Sequence, residues 1–201
     1  MCNEAARRIE LGLLREDWSQ TGIELRFPEG LPNMAPLESV RITDPTVIIR
    51  AAGGDADGAA ELVTRRWSWP GPSGKPVYNY RSEGRDLVKG RCLIPVDGFY
   101  EFTTPADKAK KRKDKWLFRW ADAGAGRGWF CIAGLWRTDR AVGEAFTMLT
   151  TEPGPDVAPY HSRQVVLLPA ADWARWLDPA VPAADLIRPL PAGTLSVEQV
   201  G

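Results

Sequence analysis

Cys2 stands directly behind the initiator position. A small second residue permits removal of Met1, and the chain would then present an α-amine and a thiol on adjacent carbons, a 1,2-aminothiol. The amine titrates at roughly 7.7–8.0 and the thiol near about 8.5, so useful fractions of both nucleophiles exist near neutrality. Against an aldehyde the amine forms an imine, and the thiol then closes a five-membered thiazolidine ring. An internal cysteine cannot do this. Position alone favours an incidental second residue, so the remaining chemistry-bearing residues decide what Cys2 is for.

Three other places offer polar groups able to move protons or hold anions. Asn79, Tyr80, Arg81, Ser82 and Glu83 follow a turn-like Gly71 to Pro76 and by themselves read as the polar end of a strand. The run from Arg91 to Phe102 predicts strand, tight turn, strand, which sets Glu101 on a rigid element. A carboxylate in that setting is usually solvent-facing. His161, the single histidine, lies in the loop Pro159 to Arg163 just before the apolar run Val165 to Leu168. A lone loop histidine is more often structural than catalytic, although a placed imidazole and a placed carboxyl together can supply and remove protons.

The elements that must position these groups are mostly short and β-like. Val40 to Thr43, Val47 to Arg50, Leu62 to Trp67, Arg91 to Pro95, Gly98 to Phe102, Trp116 to Trp120, Trp129 to Trp136, Phe146 to Thr151 and Val165 to Leu168 are predicted strands, so antiparallel sheet dominates an α+β chain. Apolar residues Ala5, Ile9, Leu13 and Trp18 recur near helical spacing and predict a short amphipathic helix after Cys2; Pro169 to Leu177 predicts a second. Gly53 to Ala60 and the lysine-rich Pro105 to Lys115 read as exposed loops, the second as an ordinary solvated charge run.

Composition narrows the classes. A chain of 201 residues, 44% hydrophobic and with nine tryptophans, fits one domain spanning 1–201, with an extended Pro-rich tail from about residue 178. With 26 basic against 26 acidic residues, it is not built to coat nucleic acid through bulk positive charge. No apolar run is long enough to cross a bilayer and the start lacks the order of a secretory signal, so a cytoplasmic location is expected, on the nucleoid in a bacterium. Three cysteines without knuckle spacing and one histidine argue against disulfides, zinc or any other metal, and no cofactor is expected.

Taken in order, the Met-Cys start, Asn33-Met34-Ala35-Pro36, the Trp67 strand, Asn79 to Glu83, Arg91 to Phe102, Ala133 to Trp136, Phe146 to Thr151 and His161 to Leu168 resemble the SRAP family, the SOS-response-associated peptidases that crosslink to abasic sites in DNA. The resemblance spans nearly the whole chain. It implies a distorted antiparallel β-barrel flanked by short helices, a monomer, and a groove for single-stranded DNA beside the N-terminus. It makes Cys2 the crosslinking nucleophile once Met1 is gone, Asn79 the residue that positions it, Glu101 the acid and base, and His161 a second proton-transfer group. Arg81 matches a phosphate-binding arginine, and with Arg66, Trp67 and Arg85 it makes up the expected DNA contacts. Lyase activity through the imine, and release of Met1 by the chain itself, are further activities the resemblance allows.

The sequence departs from the usual family pattern in Asn3-Glu4, where a basic residue is common, in Arg65-Arg66-Trp67-Ser68-Trp69, and in Ser162-Arg163-Gln164. Two other readings stay open. One is a cysteine-type peptidase or amidohydrolase using Cys2 and His161. The other is a noncovalent single-strand binding module in which arginines and tryptophans neutralise and stack.

Overall fold

The computed structural model describes residues 2–53, 58–121 and 128–201. Met1, and residues 54–57 of the expected loop Gly53 to Ala60, lie outside the described residues. The strands, in chain order, are β1 (Glu4–Arg7), β2 (Leu25–Arg26), β3 (Leu37–Arg41), β4 (Pro45–Ala51), β5 (Ala60–Trp67), β6 (Trp69–Pro70), β7 (Pro76–Val77) and β8 (Asn79–Arg81). They continue with β9 (Arg91–Val96), β10 (Gly98–Thr103), β11 (Asp114–Trp120), β12 (Phe130–Asp139), β13 (Gly143–Thr151), β14 (Gln164–Val165), β15 (Leu167–Leu168) and β16 (Leu195–Gln199). Two α-helices, α1 (Leu11–Ser19) and α2 (Trp173–Leu177), complete the α+β barrel-like fold that the sequence predicts.

β-Branched runs such as Val47-Ile48-Ile49 favour a pleated surface buried on both sides, and they build the central barrel. Its circuit is β5-β4-β9-β12-β13, antiparallel until β13 returns beside β5 in parallel, with Ala145 against Arg66 and Phe146 against Trp67. Closure of this kind removes exposed sheet edges. The seam is held by charge: Arg50 meets Glu61 at 2.6 Å and Glu144 at 3.1 Å, and Arg65 meets Glu144 at 2.6 Å. The Arg50 guanidinium also lies 3.9 Å from the centre of the Trp136 ring.

Alternate residues of these strands feed two separate cores. Val47, Ile49, Leu62, Leu93, Cys131 and Ala133 pack towards the helices, around Trp18, Trp173 and Trp176. Trp18 stacks on Trp173 with ring centres 6.1 Å apart, while the Trp176 indole donates to the Cys92 carbonyl at 2.9 Å. At roughly 200 Å² and 25 cal/mol per Å², each such buried indole contributes about 5 kcal/mol of transfer free energy. Ile48, Val63, Ile94, Ile132, Phe146 and Met148 face the other way, towards a five-stranded sheet of order β16-β11-β10-β1-β3. That sheet returns Cys2, Ala5, Val40, Phe99 and Phe118 to the same core.

Two sequence expectations change here. The predicted helix starting at Ala5 begins only at Leu11, because Glu4–Arg7 forms β1, buried between β10 and β3. Four residues cannot separate a helical from a strand period, and tertiary pairing decides. The predicted turn in Arg91 to Phe102 does not make a hairpin. β9 pairs with β4 and β12 in the barrel, whereas β10 pairs with β1 and β11 in the other sheet, so Asp97 marks a corner between sheets. Its carboxylate accepts from the Arg8 main-chain N–H and from Arg8 Nε, both at 2.7 Å. Beyond α2 the chain makes a short turn at Ala183–Asp185 and ends in β16, which pairs with β11 at the sheet edge. No helix among the described residues is long and apolar enough to cross a membrane.

Candidate active site

β1 is the element that delivers Cys2. Ala5 and Ala6 are small enough to be wholly buried between neighbours, and they lie opposite Phe99 and Gly98 of β10. On its other side Gly98 lets β11 come close: a Cβ there would lie 3.0 Å from the Phe118 carbonyl oxygen and 2.8 Å from the Leu117 side chain. Run backwards from these pairs, the antiparallel register brings the chain start alongside Glu101. The Glu101 carboxyl accepts a hydrogen bond from the main-chain N–H of Cys2, and both residues are only 1% exposed.

A third group reaches Cys2 from the barrel. Asn79 begins β8, which lies parallel to β13 with Asn79 beside Met148. Its side-chain amide donates to the Cys2 carbonyl at 2.7 Å, and its own amide oxygen is buried without a partner. The segment that follows is zipped to β13: Ser82 donates to the Thr150 carbonyl through both its N–H, at 3.0 Å, and its hydroxyl, at 2.9 Å.

His161 arrives on a loop docked by its neighbour. The Tyr160 ring packs 4.7 Å from Trp116 and edge-on 5.3 Å from Phe118. Trp116 lies directly across from Glu101, and Phe118 across from Phe99, so this loop sits on the face to which Glu101 points. Imidazole Nδ1 is 3.0 Å from the Arg163 N–H, from which it accepts when Nε2 carries the proton, and 3.1 Å from the Arg163 carbonyl, to which it donates in the other tautomer.

Burial governs the electrostatics. It pushes the Glu101 carboxyl up to about 7, so the group is divided between acid and carboxylate near neutrality. It also drives the Cys2 thiol well above the usual thiol range, and the Glu101 carboxylate adds to that rise. The thiol donates to the Glu4 carbonyl at 3.3 Å. Burial lowers His161, which favours the neutral imidazole. A neutral thiol, a carboxyl poised near neutral pH and a neutral imidazole suit proton transfer around an amine more than thiolate attack.

The remaining expected residues are distributed unevenly. Arg81 and Arg85 are exposed just beyond Asn79, with the Arg85 guanidinium 5.2 Å from the centre of the Tyr80 ring. Trp67 requires correction: it is fully buried, stacked with Phe146 at 6.4 Å, and its indole donates to the Tyr78 carbonyl at 2.8 Å. A buried ring has no face for a base, so Trp67 instead supports the strand that carries Asn79. Arg66 is half-buried and reaches back to the Thr43 carbonyl at 3.4 Å, and no contact among the described residues joins it to Cys2, Asn79, Glu101 or His161.

Arg163 was not among the expected site residues. It grips Glu83 through both guanidinium nitrogens, at 2.6 and 2.9 Å, and the Thr150 carbonyl at 2.8 Å, tying the His161 loop to the segment after Asn79. Opposite charges ending two motif segments were the available signal.

The family model described as SOS response associated peptidase (SRAP) matches residues 1–201. The abasic site processing protein YoaM of Bacillus subtilis (strain 168) is 30% identical over 112 residues, which make up 53% of this chain and 45% of YoaM. The match therefore spans about half of each protein. A solved structure from Bordetella bronchiseptica superposes with a TM-score of 0.73 at 23% identity and covers 100% of both chains. One from Bacteroides thetaiotaomicron gives 0.72 at 16% identity, covering 100% of this chain and 92% of that one. A phage-related protein from Bordetella bronchiseptica gives 0.71 at 21% identity, covering 99% and 94%. At these identities the structures establish the shared fold.

Proposed function

The chain belongs to the SOS response associated peptidase family, and from that premise we propose that it processes abasic sites in single-stranded DNA by covalent capture at Cys2. The observation that carries this reading is the pair of contacts on Cys2, Glu101 at its nitrogen and Asn79 at its carbonyl oxygen, which leave the residue fixed and its nitrogen beside a carboxyl poised near neutral pH. The similarity to YoaM, an abasic site processing protein, supports the abasic site as the target.

The chemistry needs no oxidant and no cofactor. Hydrolysis of the Met1–Cys2 peptide bond consumes one water and frees the α-amine. The amine adds to the aldehyde carbon of the ring-opened deoxyribose, and the carbinolamine loses its hydroxyl as water to give an imine. Glu101 is placed to hold the amine and to return the proton that this loss requires. The thiol sulfur then adds to the imine carbon while its proton passes to nitrogen, closing the thiazolidine. Amine, thiol and aldehyde give ring plus one water. A neutral thiol suits the last step because its proton ends on the product. His161, on the same face, is the second proton carrier. Exposed Arg81 and Arg85 hold phosphate. The chain acts as one domain and a monomer.

The peptidase reading fits less well. A thiol that must attack a peptide carbonyl needs a lowered pKa, and burial with a neighbouring carboxylate does the opposite here. Incubation of Met1-free protein with a single-stranded oligonucleotide bearing one abasic site should give a species that survives boiling in detergent. Absence of that species, with turnover of a fluorogenic peptide panel, would move the assignment to peptidase.

A further inference from the structure

The hairpin that carries Glu101 also carries the densest charge of the chain. β10 and β11 are joined by residues 104–113, which include Lys108, Lys110, Lys111, Arg112 and Lys113, all exposed. Lys110 is taken by Asp114 at 2.5 Å, but Lys108, Lys111, Arg112 and Lys113 meet no carboxylate among the described residues. In a chain of zero net charge, unpaired cations gathered on one loop are a local exception.

The base of this loop is rigid. Thr103 pairs with Asp114, and the Trp116 indole donates to the Thr103 hydroxyl at 2.8 Å. Within it, the Asp107 carboxylate accepts from the Ala109 N–H at 2.8 Å and the Asp107 carbonyl from the Lys110 N–H at 3.1 Å. Glu101 lies two residues before Thr103 on the same strand, and the Lys113 charge acts on His161. The loop therefore opens at the rim of the site.

The N-terminal strand, by contrast, has no cation to spare. Arg7 donates to the Ala35 carbonyl at 3.0 Å, and Arg8 is held by Asp97 at 2.6 Å and Glu38 at 3.0 Å. Glu4 engages Lys115 at 2.7 Å and Ser39 at 2.6 Å. Any anion held on this side of Cys2 must find its positive charge elsewhere.

We propose that the loop 104–113 is a phosphate-binding rim for the nucleic-acid strand, taking up on the five-stranded sheet the role that Arg81 and Arg85 serve on the barrel side. Cys2 lies between the two, touched by Glu101 from one sheet and by Asn79 from the other. This rests on the reading of single-stranded DNA as the substrate. The contact is with the backbone and is indifferent to base identity.

The test is a salt titration of binding to a single-stranded oligonucleotide carrying a tetrahydrofuran abasic analogue, which has no aldehyde, compared with an intact strand of the same length. The variant is the triple substitution Lys108→Gln, Lys111→Gln, Arg112→Gln, at exposed positions outside the strands. Each phosphate contact on a single strand contributes about 0.7 to the slope of log affinity against log salt, so loss of three should flatten the slope by about 2. Affinity at low salt should fall at least tenfold for both strands, while the crosslinking rate at saturating abasic DNA stays within about twofold. An unchanged slope and affinity in the variant, beside a wild type that binds, would overturn the rim and leave the substrate intact. A wild type that binds neither strand and forms no crosslink with an aldehyde-bearing abasic strand would overturn the substrate reading and the rim together.

Discussion

Asn79 grips Cys2 by its main-chain carbonyl at 2.7 Å, and so fixes the residue without occupying its nitrogen or its sulfur. A residue that orients a nucleophile in this way contributes through geometry. The hydrogen bond is worth about 1 kcal/mol in stability, but misplacement of the reacting atoms can cost far more in rate. Asn79→Ala is expected to slow crosslinking by roughly 10- to 100-fold while affinity for a tetrahydrofuran strand changes less than threefold. Rapid-quench gels beside fluorescence anisotropy separate the two quantities. Wild-type crosslinking in the alanine variant would remove Asn79 from the machinery.

Glu101 makes a pH prediction with a definite sign. Its carboxyl is raised from the ordinary value of 4.5 to about 7, so between those values the folded chain keeps a proton that the unfolded chain has released. The stability this supplies is fully present below about pH 4.5 and is lost as pH rises through about 7. In urea titrations at a series of pH values, Glu101→Gln should lack that loss and gain on the wild type, on the order of a few kcal/mol, by pH 8. Crosslinking by the same variant should fall about 100-fold and lose the alkaline limb of its pH–rate profile. Parallel stability curves for the two proteins would place the Glu101 titration elsewhere.

Ser68 is held at φ 82°, a region that costs a non-glycine residue roughly 1–2 kcal/mol, and its hydroxyl is buried without a partner. It directly follows Trp67, the residue that supports Tyr78 and Asn79. Ser68→Gly should therefore stabilise the fold by about 1 kcal/mol, seen as a raised urea midpoint at constant slope. Ser68→Ala relieves only the hydroxyl and should recover less than the glycine. Equal gains from both would mean that the backbone is not strained.

Much of the fold was legible because its barrel strands are β-branched runs bounded by turn residues. Val47 to Arg50, Leu62 to Trp67 and Phe146 to Thr151 all lie within observed strands. Which strand pairs with which was not legible. Arg91 to Phe102 has the local pattern of a hairpin, yet its halves enter different sheets, because pairing is decided by partners far away in the chain. Similarly, Ala5 carries no sign of whether it lines a helix or fills the gap between β10 and β3.

The site divides along the same line. Asn79 and Glu101 both contact Cys2, and the docked Tyr160 brings His161 to the face to which Glu101 points. Trp67 misled because an aromatic beside arginines looks like a stacking platform, whereas burial decides its role. Arg163 and the cations after Glu101 were legible only as charge. Their meaning depends on what lies across from them: Glu83 for the first, the rim of the site for the second.

Intact mass spectrometry of the protein mixed with a single-stranded abasic oligonucleotide, run beside a version with one extra residue ahead of Cys2, gives the sharpest decision. The processed protein should lack Met1 and appear at the summed mass of protein and oligonucleotide less one water, stable to heat without borohydride. Cys2→Ser, which keeps the amine but loses the thiol, should yield the same class of adduct only after borohydride reduction. The extended protein, whose Cys2 nitrogen is locked in a peptide bond, should yield none. A heat-stable adduct on the extended protein, or on protein that retains Met1, at the wild-type rate would contradict capture by the aminothiol and leave simple thiol addition in its place.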